Sequence, residues 1–327
     1  MKFGVEFVPN VKPYEIEYLS SIAEDFGFDS VWITDHYNNR NAYSILSILS
    51  IKTMKVSLGV GVANPYTIHP AVIASAMATI NEMSGGRAIL GIAAGDKMTL
   101  QRLGIGWDKP LTRVKEAVEI IRGLISGNIV NYSGKTFEVK NAKLDYGIEK
   151  FPIYIGAQGP KMLNLASEIG DGVLINASHP LDFKEAFKCF GELKKGFDVV
   201  AYTSMSIDKD REKAREEAKI VVSFIVSGSP DVVLERYGLK EEAEKVRKAL
   251  NDAFSGGSWA DVKKAVSDEM IDAFSISGTP EEVVERIEEL KKVGVTHVVA
   301  GSPIGVDKAK AIKLLGKKVI PVFKDKV

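Results

Sequence analysis

The chain has 327 residues, with 43 Lys and Arg against 43 Asp and Glu, so its formal net charge is zero. Hydrophobic residues make up 45% and charged residues 26%, which excludes collagen-like and disordered chains. With no cationic excess to displace counterions, a nucleic-acid binder of the strongly basic kind is excluded too. The single cysteine, Cys189, allows no internal disulfide and no cysteine-based zinc site, which fits a reducing cytoplasm. No apolar run approaches the ~20 residues of a membrane helix, and Glu6 stands where a signal peptide would need an apolar core. The expectation is a cytoplasmic protein that binds neither nucleic acid nor membrane.

In chain order, Phe3, Val5 and Phe7 alternate with Gly4, Glu6 and Val8, which predicts a first strand over 2–7. Residues 16–26 have helical spacing and are followed by Gly27-Phe28-Asp29-Ser30-Val31-Trp32-Ile33. The same order of helix, glycine and short apolar run returns at 161–169 with Gly170-Asp171-Gly172-Val173-Leu174-Ile175, and at 281–293 with Gly294-Val295-Thr296-His297-Val298-Val299. A glycine suits the left-handed position that closes a helix, and an apolar run after it suits a strand buried on both faces. Further strands are expected near 56–62, 88–92, 153–155 and 199–205, and further helices near 71–82, 111–125, 183–193 and 306–315.

Alternating β and α elements imply a parallel sheet, and about eight βα units imply a TIM barrel. A doubly wound open sheet is the alternative, but no Gly-x-Gly-x-x-Gly turn follows the first strand. Two stretches exceed the minimal repeat. Residues 126–150 are polar, with Asn131-Tyr132-Ser133-Gly134-Lys135 reading as a hairpin turn region. Residues 207–278 are mostly helical, broken at Ser255-Gly256-Gly257-Ser258, and read as an insertion after strand seven within one domain spanning 1–327. The barrel resumes at Thr279-Pro280-Glu281-Glu282, a capping box with Pro at the first helical position.

Active sites of such barrels lie at the carboxyl ends of the strands, which ranks the polar residues. Glu6 is expected to point into the barrel, opposite the large apolar set. A buried carboxyl is costly unless paired or protonated, so Glu6 is either a general acid or one half of a structural ion pair. Thr34-Asp35-His36 ends strand two, as a turn cap or as ligand contacts. Gly61, Val62 and Ala63 end strand three, where glycines mark either barrel curvature or close approach of a ligand. Ala94, Gly95 and Asp96 end strand four; Asp96 either caps a following turn or serves the chemistry. Gly156, Ala157 and Gln158 precede Pro160, which starts a helix whose free amides suit an anion. Asn176, Ala177 and Ser178 follow strand six. Cys189 lies among Phe187 and Phe190 and reads as near-core. The pattern by itself describes a barrel enzyme that holds a flat, anionic cofactor near a carboxylate.

Taken together, these strand ends resemble the bacterial-luciferase-like superfamily, and more closely its deazaflavin branch, which uses coenzyme F420. The residues that carry the resemblance are Lys2-Phe3-Gly4-Val5-Glu6-Phe7, Trp32-Ile33-Thr34-Asp35-His36-Tyr37, Gly61-Val62-Ala63-Asn64-Pro65-Tyr66, Ala94-Gly95-Asp96-Lys97, Tyr154-Ile155-Gly156-Ala157-Gln158-Gly159-Pro160 and Asp171-Gly172-Val173. The resemblance covers nearly the whole chain. It implies a TIM barrel with an insertion and a non-proline cis peptide at Gly61-Val62. It also implies reversible hydride transfer between coenzyme F420, as co-substrate, and methylenetetrahydromethanopterin, in methanogenesis from CO2, without flavin or metal. Glu6 and Asp96 are then the candidate catalytic residues. Asp35, His36, Gly61, Val62, Ala63, Ala94, Gly95, Gly156, Ala157, Gln158, Asn176, Ala177 and Ser178 become candidate cofactor contacts. A homodimer or homotetramer is expected. The competing expectations are a deazaflavin-dependent alcohol or sugar-phosphate dehydrogenase, an FMN-dependent monooxygenase, and a catalytically silent flavin-binding relative.

Overall fold

The computed structural model describes residues 1–147 and 149–324. The chain divides into two compact units. The first comprises Lys2–Ile175 and Glu185–Val200. It runs β1 (Lys2–Phe7), α1 (Pro13–Asp25), β2 (Ser30–Ile33), α2 (Ala42–Lys52), β3 (Ser57–Ala63), α3 (Pro70–Ser84), β4 (Ala88–Ile92), α4 (Lys97–Arg102) and α5 (Pro110–Ile125). A hairpin follows, β5 (Val130–Ser133) and β6 (Glu138–Ala142), and then β7 (Ile153–Gly156), α6 (Pro160–Ile169) and β8 (Gly172–Ile175). Strands β1, β2, β3, β4, β7 and β8 lie side by side in that order, all parallel.

Proline begins α1, α3, α5 and α6, where the missing N–H costs nothing and the fixed φ favours the first turn. Gly27 stands just past α1 in the left-handed region at φ 84°, as the sequence predicts. Gly170 does not follow that prediction: it is extended, with φ −84° and ψ 166°. A Cβ there would come within 2.7 Å of the Ala166 carbonyl and 2.9 Å of the Gly172 carbonyl, so the glycine answers crowding rather than handedness. Helix α2 has no counterpart among the elements predicted from sequence. Its buried Ala42, Ile45, Leu46 and Leu49 form one face, and the helix packs on α1 and α3; Ile48 and Ile51 lie off that face and blur the period that marks a helix in sequence. The hairpin expected in 126–150 is present. Its turn is held by the buried Glu116 of α5, whose carboxylate accepts from the Lys135, Thr136 and Phe137 amides at 2.6, 2.8 and 3.1 Å.

The second unit comprises Asn176–Lys184 and the chain from Ala201 onward. Helix α7 (Pro180–Phe187) spans the end of this segment and stops earlier than the expected 183–193. The chain leaves the helix to stack Phe187 on Phe190 edge to face at 5.3 Å and to donate the Gly191 amide to Ser167 Oγ at 3.0 Å. After β9 (Asp198–Ile207) come α8 (Arg211–Gly228), α9 (Asp231–Arg236), α10 (Lys240–Phe254), α11 (Trp259–Ala265) and α12 (Asp268–Phe274). Then follow β10 (Ile276–Gly278), α13 (Pro280–Lys292), β11 (His297–Ile304) and α14 (Lys308–Leu314), a wider π turn over Leu315–Val319, and α15 (Ile320–Phe323). Strand β9 lies between β10 and β11. The helices after β9 have their own core of Val222, Val246, Leu250, Val262 and Met270. The buried Arg215 binds Asp268 at 2.9 Å and Asp272 at 2.6 Å, fastening α8 to α12. The capping box at Thr279 and Glu282 forms as the sequence predicts. No helix among the described residues is long and apolar enough to cross a membrane.

Candidate active site

Strand register separates the two faces of the first unit's sheet. Paired residues of parallel strands share a face, and neighbours along a strand alternate. One face carries Val5, Phe7, Val31, Ile33, Leu58, Val60, Leu90, Ile153, Ile155 and Val173. This aliphatic face is the one helices cover. The other carries Gly4, Glu6, Ser30, Trp32, Ser57, Gly59, Ile89, Gly91, Tyr154, Gly156, Gly172 and Leu174. Here glycines make room for two large rings. A Cβ at Gly59 would sit 2.2 Å from the Trp32 ring, and one at Gly172 would sit 3.1 Å from Tyr154. The Trp32 indole donates to Ser30 Oγ at 2.9 Å, and the Tyr154 hydroxyl donates to Asp198, which also pairs with Lys2 at 2.7 Å. Glu6, 6% exposed, is the carboxyl on this face, level with Trp32. It thus lies opposite Val5 and Phe7, as the alternation predicts.

At the carboxyl end of β3 the pairing with β4 shifts between Val60 and Ala63. The Gly61-Val62 peptide within that shift is cis, as the resemblance implies. The Val62 side chain lies 3.2 Å from where a Cβ of Gly91 would be and 3.5 Å from that of Gly156. Gly91, Gly156 and Ala93 therefore leave Val62 on a floor of small residues. Gly95 is left-handed at φ +69°, and the Asn64 side chain fills the place of a Cβ there at 2.1 Å. Asn64 Oδ1 in turn accepts the Tyr66 amide at 2.9 Å.

Asp96 caps α4. Its carboxylate accepts from the Met98 amide at 3.1 Å and the Thr99 amide at 2.8 Å. Burial alone would raise its pKa, but the Thr99 and Met98 hydrogen bonds, with His36 nearby, outweigh that and hold it below the usual value. His36 is lowered by desolvation, and the Asp96 charge partly offsets this. Asp35 behaves oppositely. Half-buried, it makes no hydrogen bond or ion pair among the described residues, and desolvation raises its pKa from 3.8 to about 6.

The structure thus brings Glu6, Asp35, His36, Gly61, Val62, Ala63, Ala94, Gly95, Asp96, Gly156, Ala157 and Gln158 to adjacent strand ends of one sheet. Three residues that the sequence did not single out also stand here. Tyr43, in the first turn of α2, carries a buried hydroxyl without a partner among the described residues, and both desolvation and the Asp35 charge raise its pKa. Trp107, 38% exposed, donates its indole N–H to the Ala94 carbonyl at 3.2 Å. The Arg113 guanidinium lies 4.3 Å over the Tyr66 ring, whose hydroxyl donates to the Asp108 carbonyl. Pattern could not find Tyr43 without the unforeseen α2, and the loop that carries Trp107 has no period.

In the second unit, Asn176 is exposed and Ser178 is buried. The Ser178 hydroxyl pairs with that of Thr203 and donates to the Phe274 carbonyl at 3.1 Å. Nearby, Asp182 binds Arg236 and accepts the Tyr237 hydroxyl at 2.8 Å. His179 packs edge-on to Tyr237 at 5.3 Å, and burial pushes its pKa down to about 4. Cys189, which belongs to the first unit, is half-buried, with its thiol directed to the Glu185 carbonyl at 3.4 Å.

The family model of luciferase-like monooxygenases matches residues 4–297. A protein of Archaeoglobus fulgidus named 5,10-methylenetetrahydromethanopterin reductase is 62% identical, over 99% of this chain and 100% of its own length. A protein of Methanolobus tindarius with the same name is 49% identical over 98% of this chain and 100% of its own. The solved structure of a coenzyme F420-dependent tetrahydromethanopterin reductase from Methanopyrus kandleri superposes with a TM-score of 0.92 at 45% identity, covering 99% of both chains. That likeness makes the fold a TIM barrel with eight parallel strands. An F420-dependent secondary alcohol dehydrogenase, at 23% identity and a TM-score of 0.80, shares the fold.

Proposed function

The chain belongs to the luciferase-like monooxygenase family, and from that premise we propose that it reduces 5,10-methylenetetrahydromethanopterin to the 5-methyl compound with reduced coenzyme F420. The observation that carries this reading is the full-length 62% identity to the Archaeoglobus protein of that name. The reaction is reversible and belongs to methanogenesis from CO2.

The residues suit a deazaflavin. Small side chains at Gly61, Ala63, Ala93, Ala94, Gly156 and Ala157 leave space for a flat ring, and Val62 stands on that floor. The first turn of α6, with no side-chain cap on Gly159, offers amides to an anionic group. Asp35, His36, Gly95 and Gln158 complete the proposed contacts, and Asn176, Ala177 and Ser178 are carried with them on chain position alone. When bound, reduced coenzyme F420 supplies a hydride.

Before the methylene bridge can accept it, one of its two nitrogens must be released. Glu6 is the proposed proton donor to that nitrogen. Its burial on the glycine-rich face keeps bulk water from competing for the proton. Once it has given up the proton, its anion stabilises the iminium cation formed on the opened bridge. Asp96, held ionised by two amides, provides a fixed negative charge beside His36 and so tunes the proton affinity around the reacting centre. The barrel aligns the two reactants at contact distance, a proximity effect. The same reading takes 207–278 as an insertion in a single domain, the protein as cytoplasmic, and its active form as a homodimer or homotetramer.

The test is anaerobic mixing of the protein with reduced coenzyme F420 and 5,10-methylenetetrahydromethanopterin, following absorbance of the oxidised deazaflavin. A rise that requires both reactants is expected. Binding of the deazaflavin without that rise would move the substrate to alcohols or sugar phosphates.

A further inference from the structure

The connection from β2 to α2 and the first turn of α2 carry three polar groups that the described protein leaves without hydrogen bonds. The Thr34 hydroxyl is fully buried and has no partner, and the residue is 6% exposed. The Tyr43 hydroxyl is likewise buried and unpartnered. The Asp35 carboxyl makes no hydrogen bond or ion pair, yet its charge acts on Tyr43. Leaving even one buried polar group unsatisfied is costly, and proteins seldom do so away from functional sites. Here two occur within ten residues of chain, with the half-buried Asp35 carboxyl between them in sequence, at a carboxyl end of a barrel strand. The connection itself is anchored: Asn41 caps α2 through the Ser44 amide at 3.0 Å, and the Arg40 amide donates to the Pro9 carbonyl at 3.1 Å. These groups are therefore held in place without being used by the fold.

We propose that Thr34, Asp35 and Tyr43 form a recognition edge for a ring amide, an N–H beside a C=O, on one of the two heterocyclic reactants. The proposal rests on the reaction assigned above, which already takes Asp35 as a cofactor contact, and it adds Thr34 and Tyr43, which that assignment does not use. Hydroxyls both donate and accept, and a carboxyl donates when protonated and accepts when ionised. Such a set matches an edge on which donor and acceptor alternate. A phosphate or carboxylate tail does not fit, because Asp35 would repel it. A cation site does not fit either: among the described residues no group of three His, Cys, Asp or Glu converges. Both the deazaflavin and the pterin carry a ring amide, so the chemistry is shared and the source must be separated by experiment.

Two variants, Tyr43→Phe and Thr34→Val, each remove one hydroxyl and keep the shape. Each is titrated with oxidised coenzyme F420, each is assayed over a range of pterin substrate concentrations to obtain its Michaelis constant, and each is melted without ligands. Loss of one hydrogen bond should weaken one of the two reactants about tenfold, and which one weakens identifies the ring. Because the hydroxyls lack protein partners, the ligand-free melting temperature should hold or rise by about 2 °C. A lower melting temperature in both variants would overturn the proposal, since it would mean the hydroxyls serve the fold. Affinities for both reactants within twofold of wild type would overturn it as well. Wild-type protein runs alongside. If it binds the deazaflavin but does not turn over the pterin, the reaction assignment falls while the titration and melting comparisons still decide this proposal.

Discussion

Glu6 and Asp35 are both carboxyls near strand ends, but their surroundings give them different tasks. Glu6 is buried level with Trp32 on the glycine-rich face. Replacing Glu6 with Gln preserves shape and removes the exchangeable proton, so kcat should fall at least about 100-fold. The dissociation constant for coenzyme F420 should stay within about threefold, and a titration beside the turnover assay checks both. Asp35 lacks a stabilising partner, and its pKa rises from 3.8 to about 6 on folding. The folded protein then holds a proton that the unfolded chain has already released between those two values. Stability therefore falls as pH rises through that window, and above it the loss is complete, about 3 kcal/mol for a shift of about two units. Asp35→Asn removes this slope. The variant should melt several degrees above wild type at pH 8 and match it near pH 4, as thermal scans across that range would show. Of these two residues the sequence made the face of Glu6 legible, because a strand alternates with period two. The solitude of Asp35 was not legible, because it depends on what fails to approach from α2.

At the scale of elements, the two faces of the first sheet make opposite demands on residue size. The aliphatic face tolerates exchange among similar volumes, whereas the glycine-rich face has no room for a Cβ at Gly59 or Gly91. A Cβ at Gly91 would meet the Val60 carbonyl oxygen at 2.4 Å and Leu174 at 2.9 Å. A backbone oxygen cannot swing aside, so Gly91→Ala should cost about 3 kcal/mol or more, read as a lower urea midpoint. At Gly27 a Cβ meets nothing within 4 Å, and only its φ of 84° resists substitution. Gly27→Ala should therefore cost about 1 kcal/mol, and the ranking of the two variants is the test. The start of α6 was legible from Pro160, and that of α13 from its capping box with Pro280. Helix α2 was not, because the exposed Ile51 and the neighbouring Ile48 blur the contrast between its buried and outer faces. Gly170 looked like a helix-closing glycine, yet what requires it is crowding by the carbonyls of Ala166 in the helix and Gly172 in the next strand.

For the whole molecule, 43 cationic and 43 anionic side chains cancel, with a pI near 6.9. A protein near zero net charge loses the repulsion that keeps copies apart. Light scattering at low ionic strength should peak near pH 7 and fall when salt is added or when the pH moves to 5.5 or 8.5, about 1.5 units either way. The sequence alone determined the alternation of helix and strand, the side of the first strand on which Glu6 lies, and the family, because these depend on period and local motif. Tertiary structure decided which polar groups have partners. Asp96 bonds amides of its own helix, Arg113 stacks on a ring 47 residues earlier, and Thr34 and Tyr43 are left unmatched. Periodicity says which way a side chain faces; only the packing of distant segments says what it finds there.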